Sequence, residues 1–483
     1  MGVSSQAASR QPFALGGEAL EVFLGHEERA LAIARRDART AFAAVTVAVD
    51  PSLDLSAAVL AARRPDEPFF CLEQPDRDGF ALAALGGVAT LEARGEERFA
   101  ELAGACRELG SRTVAGTGAD PDAPPASGPV LVGGFSFAPE GGSAPEWGSL
   151  APARLLLPGL AFARHRGQAR LTLSAAVAPD EAPGEALARA CARLAELGPA
   201  QMPLLDPEPV ERSRVAGATP PAHYESAVAR AVERIRSGEL DKVVLAREVR
   251  VHAARELDPA PIFDALRAAF PGCYCWCAGT PELSFVGASP ELLVRREGAR
   301  AQTVALAGTT RRSADPAVDD HLGEQLLRSS KDREEQAIVS GRIQRTLAPL
   351  SLWVAGGDEP GLVKVQNVQH LATAIRAQLA EPVPALELAG LLHPTPAVCG
   401  EPREVAEPLI PALEGLDRGW YAGGIGWTDL AEDGEFCVAL RCALLRGAVA
   451  HLYAGCGVVR ESVPAEELDE SEVKLQALLP LLS

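Results

Sequence analysis

A chain of 483 residues, 47% of them hydrophobic, is long enough for a large packed core and too apolar to stay disordered. Its formal net charge of −19 argues against nucleic acid or an anionic membrane as partner and favours a soluble protein. A small anionic substrate is not excluded, because it responds to the local field and not to the sum.

The opening residues Met1-Gly2-Val3-Ser4-Ser5-Gln6 carry no basic stretch before an apolar core. Gln6 stands where a myristoylation signal needs Ser or Thr. No apolar run reaches membrane-spanning length, so a cytoplasmic protein is expected. Helical patterns fall at 98–109 and 185–197, and strand-like runs at 69–72, 130–137 and 169–176. Residues 116–128 read as a Gly/Pro loop, and 206–221 as the connection into the second half. The expected division is 1–215 and 216–483, with the chemistry in the latter.

That second part opens with a helix after Pro220-Pro221, and Gly238 is a plausible stop. Then Lys242-Val243-Val244-Leu245-Ala246-Arg247 reads as a buried strand with a lysine at its start. An exposed lysine at a strand end is the ordinary reading, but other charges set into apolar segments follow. Cys273, Cys275 and Cys277, three of ten scattered cysteines, share one strand face and read as buried, reduced core thiols rather than a soft-metal site. The next strand, 284–295, contains Pro290, which cannot donate to a ladder, so it breaks or bulges there and can aim Glu291 out of the sheet. Gly308 and Thr309 lie among small residues that let a backbone approach a ligand, or simply make a turn. The helix from Ser329-Ser330 carries a dense charge run, ordinarily a solvated face, yet Glu335 lies one turn before Val339 and near the apolar side.

His393 sits in a rigid double-proline loop. Residues 436–445 read as a strand apolar on both faces except for Arg441, which needs an anionic partner there. On the last helix Glu467, Glu470 and Lys474 share one face, which surface pairing would also explain. Taken together, two glutamates without His or Cys suit a hard ion such as Mg²⁺. Arg441 and Lys474 suit a small substrate with more than one carboxylate. Lys242 and Glu291 suit a base and an acid.

From about Thr219 to Leu479 the chain resembles the chorismate-utilising enzymes, the family of anthranilate, aminodeoxychorismate, isochorismate and salicylate synthases. The ordered segments KVVLAREV, FVGASPELL, ALAGTTRR, SSKDREEQ, LHPTPAVCG, YAGGIGW, FCVALRCA, YAGCGVV and EELDESEVKL carry the resemblance. The likeness is greatest to the isochorismate synthases. It implies an α+β fold of two large antiparallel sheets packed face to face, helices outside, with the first half completing the sheets. It implies Lys242 as the base that activates water and Glu291 as the general acid. Glu335 and Glu470 would hold Mg²⁺, with Glu467 able to reach it through water. Arg441, Gly455 and Lys474 would receive the carboxylates of chorismate, and Gly308, Thr309 and His393 would line the pocket.

The reaction implied is Mg²⁺-dependent conversion of chorismate to isochorismate, feeding menaquinone or catecholate siderophore synthesis. Lys242 stands where anthranilate synthases typically carry Gln, and Ala305-Leu306-Ala307-Gly308-Thr309 lacks the nucleophilic lysine of aminodeoxychorismate synthases. Gln336 replaces a frequent His, and the last helix reads Glu-Leu-Asp-Glu where many relatives have Glu-Trp-x-Glu. A salicylate synthase, an anthranilate or aminodeoxychorismate synthase component, and a non-catalytic chorismate-binding protein are the alternatives. No amidotransferase subunit is expected, and the chain is expected to be a monomer or weak homodimer.

Overall fold

The computed structural model describes residues 13–116, 122–206, 213–357 and 359–482. Parts of the 116–128 loop and the 206–221 connection, 117–121 and 207–212, lie outside the described residues. Among the described residues the strands form two sheets, one of 13 strands and one of ten. All but one of their pairings are antiparallel; Ala41–Val49 runs parallel to Thr113–Val114.

Both sheets take strands from both halves of the chain. In the large sheet Tyr274–Gly279 pairs with Phe69–Gln74. In the smaller one Gly424–Asp429 pairs with Val130–Phe135. Side chains alternate across a strand, so each sheet offers two faces. Tyr274 and Trp276 point into the core between the sheets, with Phe135 and Phe436 from the opposite sheet. Cys273, Cys275 and Cys277 point the other way, into a second core beneath the helices that contains Phe263 and Leu266. All three are buried free thiols, and Cys275 donates to the Leu266 carbonyl of helix Pro259–Ala269.

Helices pack on the sheet faces. Ser330–Leu347 lies against Arg300–Arg311 and Val368–Leu379, and Pro464–Leu475 lies against Val449–Val458. The first of these begins where the sequence predicts, because the Ser329 side chain accepts from the Asp332 amide and caps the opening turn. No helix among the described residues is long and apolar enough to cross a membrane.

Two long apolar runs are each two strands in different sheets. Residues 284–295 form Ser284–Ser289 in the large sheet and Leu292–Glu297 in the small one. Residues 436–445 fall in Gly434–Val438 of the small sheet and Cys442–Arg446 of the large one. The single core strand read around Arg441 is therefore corrected: the chain changes sheet there.

Candidate active site

The two sheet changes lie side by side and run in opposite directions. The Val438 amide donates to the Glu291 carbonyl at 3.0 Å, and the Ala288 amide donates to the Arg441 carbonyl at 3.1 Å. Arg441 adopts a φ of +50°, in the left-handed region, to complete the crossing. Glu291 is 3% exposed, and burial pushes its carboxyl up to about 8 against the pull of Lys242 and then Arg441. At neutral pH it carries a proton. Burial also pushes the Arg441 guanidinium down from its usual range. Among the described residues no carboxylate pairs with it, and its Nη2 lies 3.4 Å from His370 Nε2.

Lys242 starts strand Lys242–His252 and is fully buried. Its Nζ lies 2.8 Å from Glu335 Oε1, but off the hydrogen-bond direction, so the ammonium has no aligned acceptor. It sits one layer behind the cleft wall that Glu335 helps to form. The contact needs Gly457 on the facing strand: a Cβ there would fall 2.2 Å from Glu335 Oε1. The charge run that reads as a solvated helix face thus turns Glu335 and Gln336 inward, together with Val339.

The last helix turns its Glu467, Glu470 and Lys474 face toward the same cleft. Lys474 Nζ lies 2.6 Å from Glu470 Oε1 and donates to the Gly455 carbonyl at 2.8 Å. Burial pushes Lys474 down, but the Cys456 and Glu470 side chains outweigh it and raise it. Burial likewise pushes Glu470 up, but Lys474, Lys331 and Arg441 hold it below the usual carboxylate range. Glu467 is raised by burial and by Glu470, and accepts from Lys331 Nζ at 3.1 Å. Oxygens of Glu467 and Glu470 and the Cys456 sulfur lie within 4.8 Å of one another.

Gly308 is the extra residue of a bulge: Ala307 faces Leu371 and Thr309 faces His370 across the ladder. Its φ is +72°, and a Cβ would fall 2.9 Å from Asp332 Cβ. Thr309 Oγ1 lies 3.1 Å from His370 Nδ1, and the Gly308 carbonyl 3.3 Å from the same nitrogen. Burial, then Arg441, pushes the His370 imidazole well below its usual range, so it is neutral. A proton on Nδ1 satisfies the bulge oxygens and leaves Nε2 to accept from Arg441.

Glu291, Gly308, Thr309, Glu335, Arg441, Gly455, Glu470 and Lys474 all line this one cleft. His393 does not. Its ring packs among Phe99, Phe135 and Phe137, and its Nε2 lies 3.0 Å from the Phe137 carbonyl. Burial pushes it down to about 3. The expectation that His393 lines the pocket is corrected, because the aromatic core takes its ring. The cleft histidine is His370, which the sequence reading passed over, as it did Lys331, Asp332 and Tyr421 of the wall. A polar residue in the apolar run around 368–375, opposite the small residues at Gly308, was the available signal.

Residues 28–483 match the family model described as chorismate binding enzyme. The chain is 36% identical over 476 residues to the salicylate biosynthesis isochorismate synthase of Pseudomonas aeruginosa, covering 96% of this chain and 95% of that one. It is 34% identical to isochorismate synthase MenF of Bacillus subtilis over 74% of this chain and 75% of that one. The solved structure of MenF, the menaquinone-specific isochorismate synthase from Escherichia coli, superposes with a TM-score of 0.77 at 27% identity, covering 96% of this chain and 100% of that one. With this cleft, this fold and these relatives, the chain belongs to the chorismate-binding enzyme family.

Proposed function

We propose that the protein interconverts chorismate and isochorismate. The observation that carries this is Glu291: a buried carboxyl, protonated at neutral pH, whose strongest charged neighbour is the buried Lys242. A proton donor in the cleft wall and a potential base just behind that wall, against Glu335, match a reaction that adds water at one carbon and expels hydroxide at another. Arg441, unpaired among the described residues, and Lys474 with the Gly455 backbone supply the positive field for a dicarboxylate.

As the base, Lys242 takes a proton from water as the water oxygen bonds to C2 of chorismate. The ring double bonds shift, and the bond from C4 to its hydroxyl breaks. Glu291 delivers its proton to that oxygen, which leaves as water. Solvent then returns a proton from Lys242 to Glu291. His370, neutral, holds Arg441 in place without adding a charge.

Glu335 and Glu470, on two helices, would hold a divalent cation, with Glu467 one turn earlier. An all-oxygen set with no imidazole fits a hard ion such as Mg²⁺. Burial keeps the nearby Cys456 thiol protonated and so out of that set. When bound, the ion supplies a Lewis acid for the substrate's ring carboxylate. The same two carboxylates also lie 2.8 Å from Lys242 Nζ and 2.6 Å from Lys474 Nζ.

Chromatography of a chorismate and Mg²⁺ incubation tests the reading. A reversible mixture of chorismate and isochorismate supports it, and chelation should stop turnover until Mg²⁺ is restored. Stoichiometric pyruvate would make the protein a salicylate synthase instead. No consumption of chorismate would leave a binding protein.

A further inference from the structure

Strand Lys242–His252 is paired along one edge with Val449–Val458, from Val243 to His252. Its other edge is paired only at its ends. Lys242 and Val243 pair with Gly400–Glu401, and Val249 to His252 pair with Arg214–Gly217. Buried backbone groups in the gap still need partners. A side-chain ion pair supplies two of them. The Ala246 amide donates to Glu414 Oε1 at 2.6 Å, and Arg418 Nη2 donates to the Val244 carbonyl at 2.8 Å. Arg418 also donates to the Val398 carbonyl at 2.8 Å and, through Nε, to Glu414 Oε2 at 3.0 Å. The two side chains are 3% and 1% exposed, and the Phe137 ring covers the guanidinium at 4.3 Å.

A buried ion pair is weak support for stability, since an apolar pair of similar volume often does as well. An apolar pair could not bond the strand backbone at two alternate residues. The need is specific here. Lys242 Nζ has no aligned hydrogen bond, so the ammonium at the end of a flexible four-carbon stem takes its place from the strand that carries it. Val244, the nearer clamped residue, and Arg418 both line the cleft.

We propose that Glu414 and Arg418 are positioning residues for the base: by clamping the backbone at Val244 and Ala246 they fix where Lys242 meets the attacking water. This rests on Lys242 being the base. Phe137, whose carbonyl faces His393, is then the cover of the clamp, which gives His393 a place in the same support.

The test is the double variant Glu414→Gln/Arg418→Met, which leaves no unpaired buried charge. It should still bind chorismate by calorimetry while kcat falls roughly 10²-fold, as a displacement of about an ångström in a reacting group does. Arg418→Lys keeps the pair charged but has one head where the fork had three contacts, so it should show the same split to a smaller degree. If the double variant does not fold, Arg418→Lys decides. Wild-type kcat overturns the clamp, and so does a parallel loss of melting temperature, binding and kcat. A Lys242→Met protein that still turns over chorismate would instead sink the reading of the base.

Discussion

Two pairs of short crossings between the sheets use one arrangement, and only one pair is chemically armed. In the first half the chain leaves the large sheet after Phe80–Leu85 and enters the small one at Ala89–Ala93. It returns from Ala153–Leu157 to Leu160–His165. The two crossings lie side by side, with the Val88 amide donating to the Leu157 carbonyl at 2.9 Å. In the second half the crossings at Pro290-Glu291 and Ala439-Leu440-Arg441 do the same. Gly86-Gly87-Val88 and Pro158-Gly159 offer no ionisable group and are packed shut: a Cβ on Gly87 would fall 2.4 Å from Leu156 Cδ1. Glu291 and Arg441 occupy the matching positions beside an open cleft. A sheet change interrupts the ladder wherever it occurs. Whether the interruption becomes a site depends on whether it is filled with carbon or with charge that only a ligand can satisfy.

The sharpest way to break the comparison is to disarm one crossing and disturb the other. Glu291→Gln should lower kcat by about 10³-fold, the general-acid share, with chorismate still bound. Pro158→Ala at the other crossing should leave kcat unchanged. Steady-state kinetics with calorimetric binding checks both, and a Glu291→Gln protein with wild-type kcat would remove the acid assignment. Glu335→Ala and Glu470→Ala should each abolish turnover while the fold survives. An active Glu470→Ala at ordinary Mg²⁺ would take that residue out of the metal site.

Next in size, Arg441→Ala should raise KM for chorismate about 10- to 100-fold, the loss of one charge-assisted contact. His370→Ala should raise it less, since His370 acts through Arg441. Two glycines divide the effects more finely. Gly457→Ala drives a methyl into Glu335 and should cost activity and Mn²⁺ affinity, read by the free-ion paramagnetic signal. Gly87→Ala drives one into Leu156 and should cost about 1–3 kcal/mol of stability, read by denaturant melts, with kcat untouched.

The pH dependence separates the crossings as well. The Glu291 carboxyl is raised to about 8 in the folded protein, above its unfolded value of 4.5. Its contribution to stability is therefore full below 4.5 and is lost as pH rises through about 8. Activity that needs the acid protonated should fall over the same upper range. Glu291→Gln should flatten the stability change between those limits, and an unchanged slope would mean the carboxyl is not buried as described. The smallest effect on catalysis belongs to His393→Leu, which should shift melting but leave KM for chorismate where it is.

What the sequence by itself determined was periodicity and punctuation. Glu467, Glu470 and Lys474 had to share a helical face because 3.6 residues make a turn, and Pro290 had to interrupt a strand because it lacks an amide hydrogen. The ordered motifs also marked the family, and the two antiparallel sheets followed from it. Which way a face points is another matter. The charge run at 331–335 has the composition of a solvated helix, and only packing against Arg300–Arg311 turns Glu335 toward Lys242. Apart from Arg441, residues 436–445 are apolar whether they form one strand or two, so the sheet change that places Arg441 in the cleft left no other local mark. The two histidines show the same limit. His393 carries the conspicuous motif but is claimed by three phenylalanines from distant segments, whereas His370 reaches the cleft because a bulge at Gly308 and a guanidinium from another crossing meet it there. Those contacts join residues far apart in the chain, and nothing short of the tertiary structure brings them together.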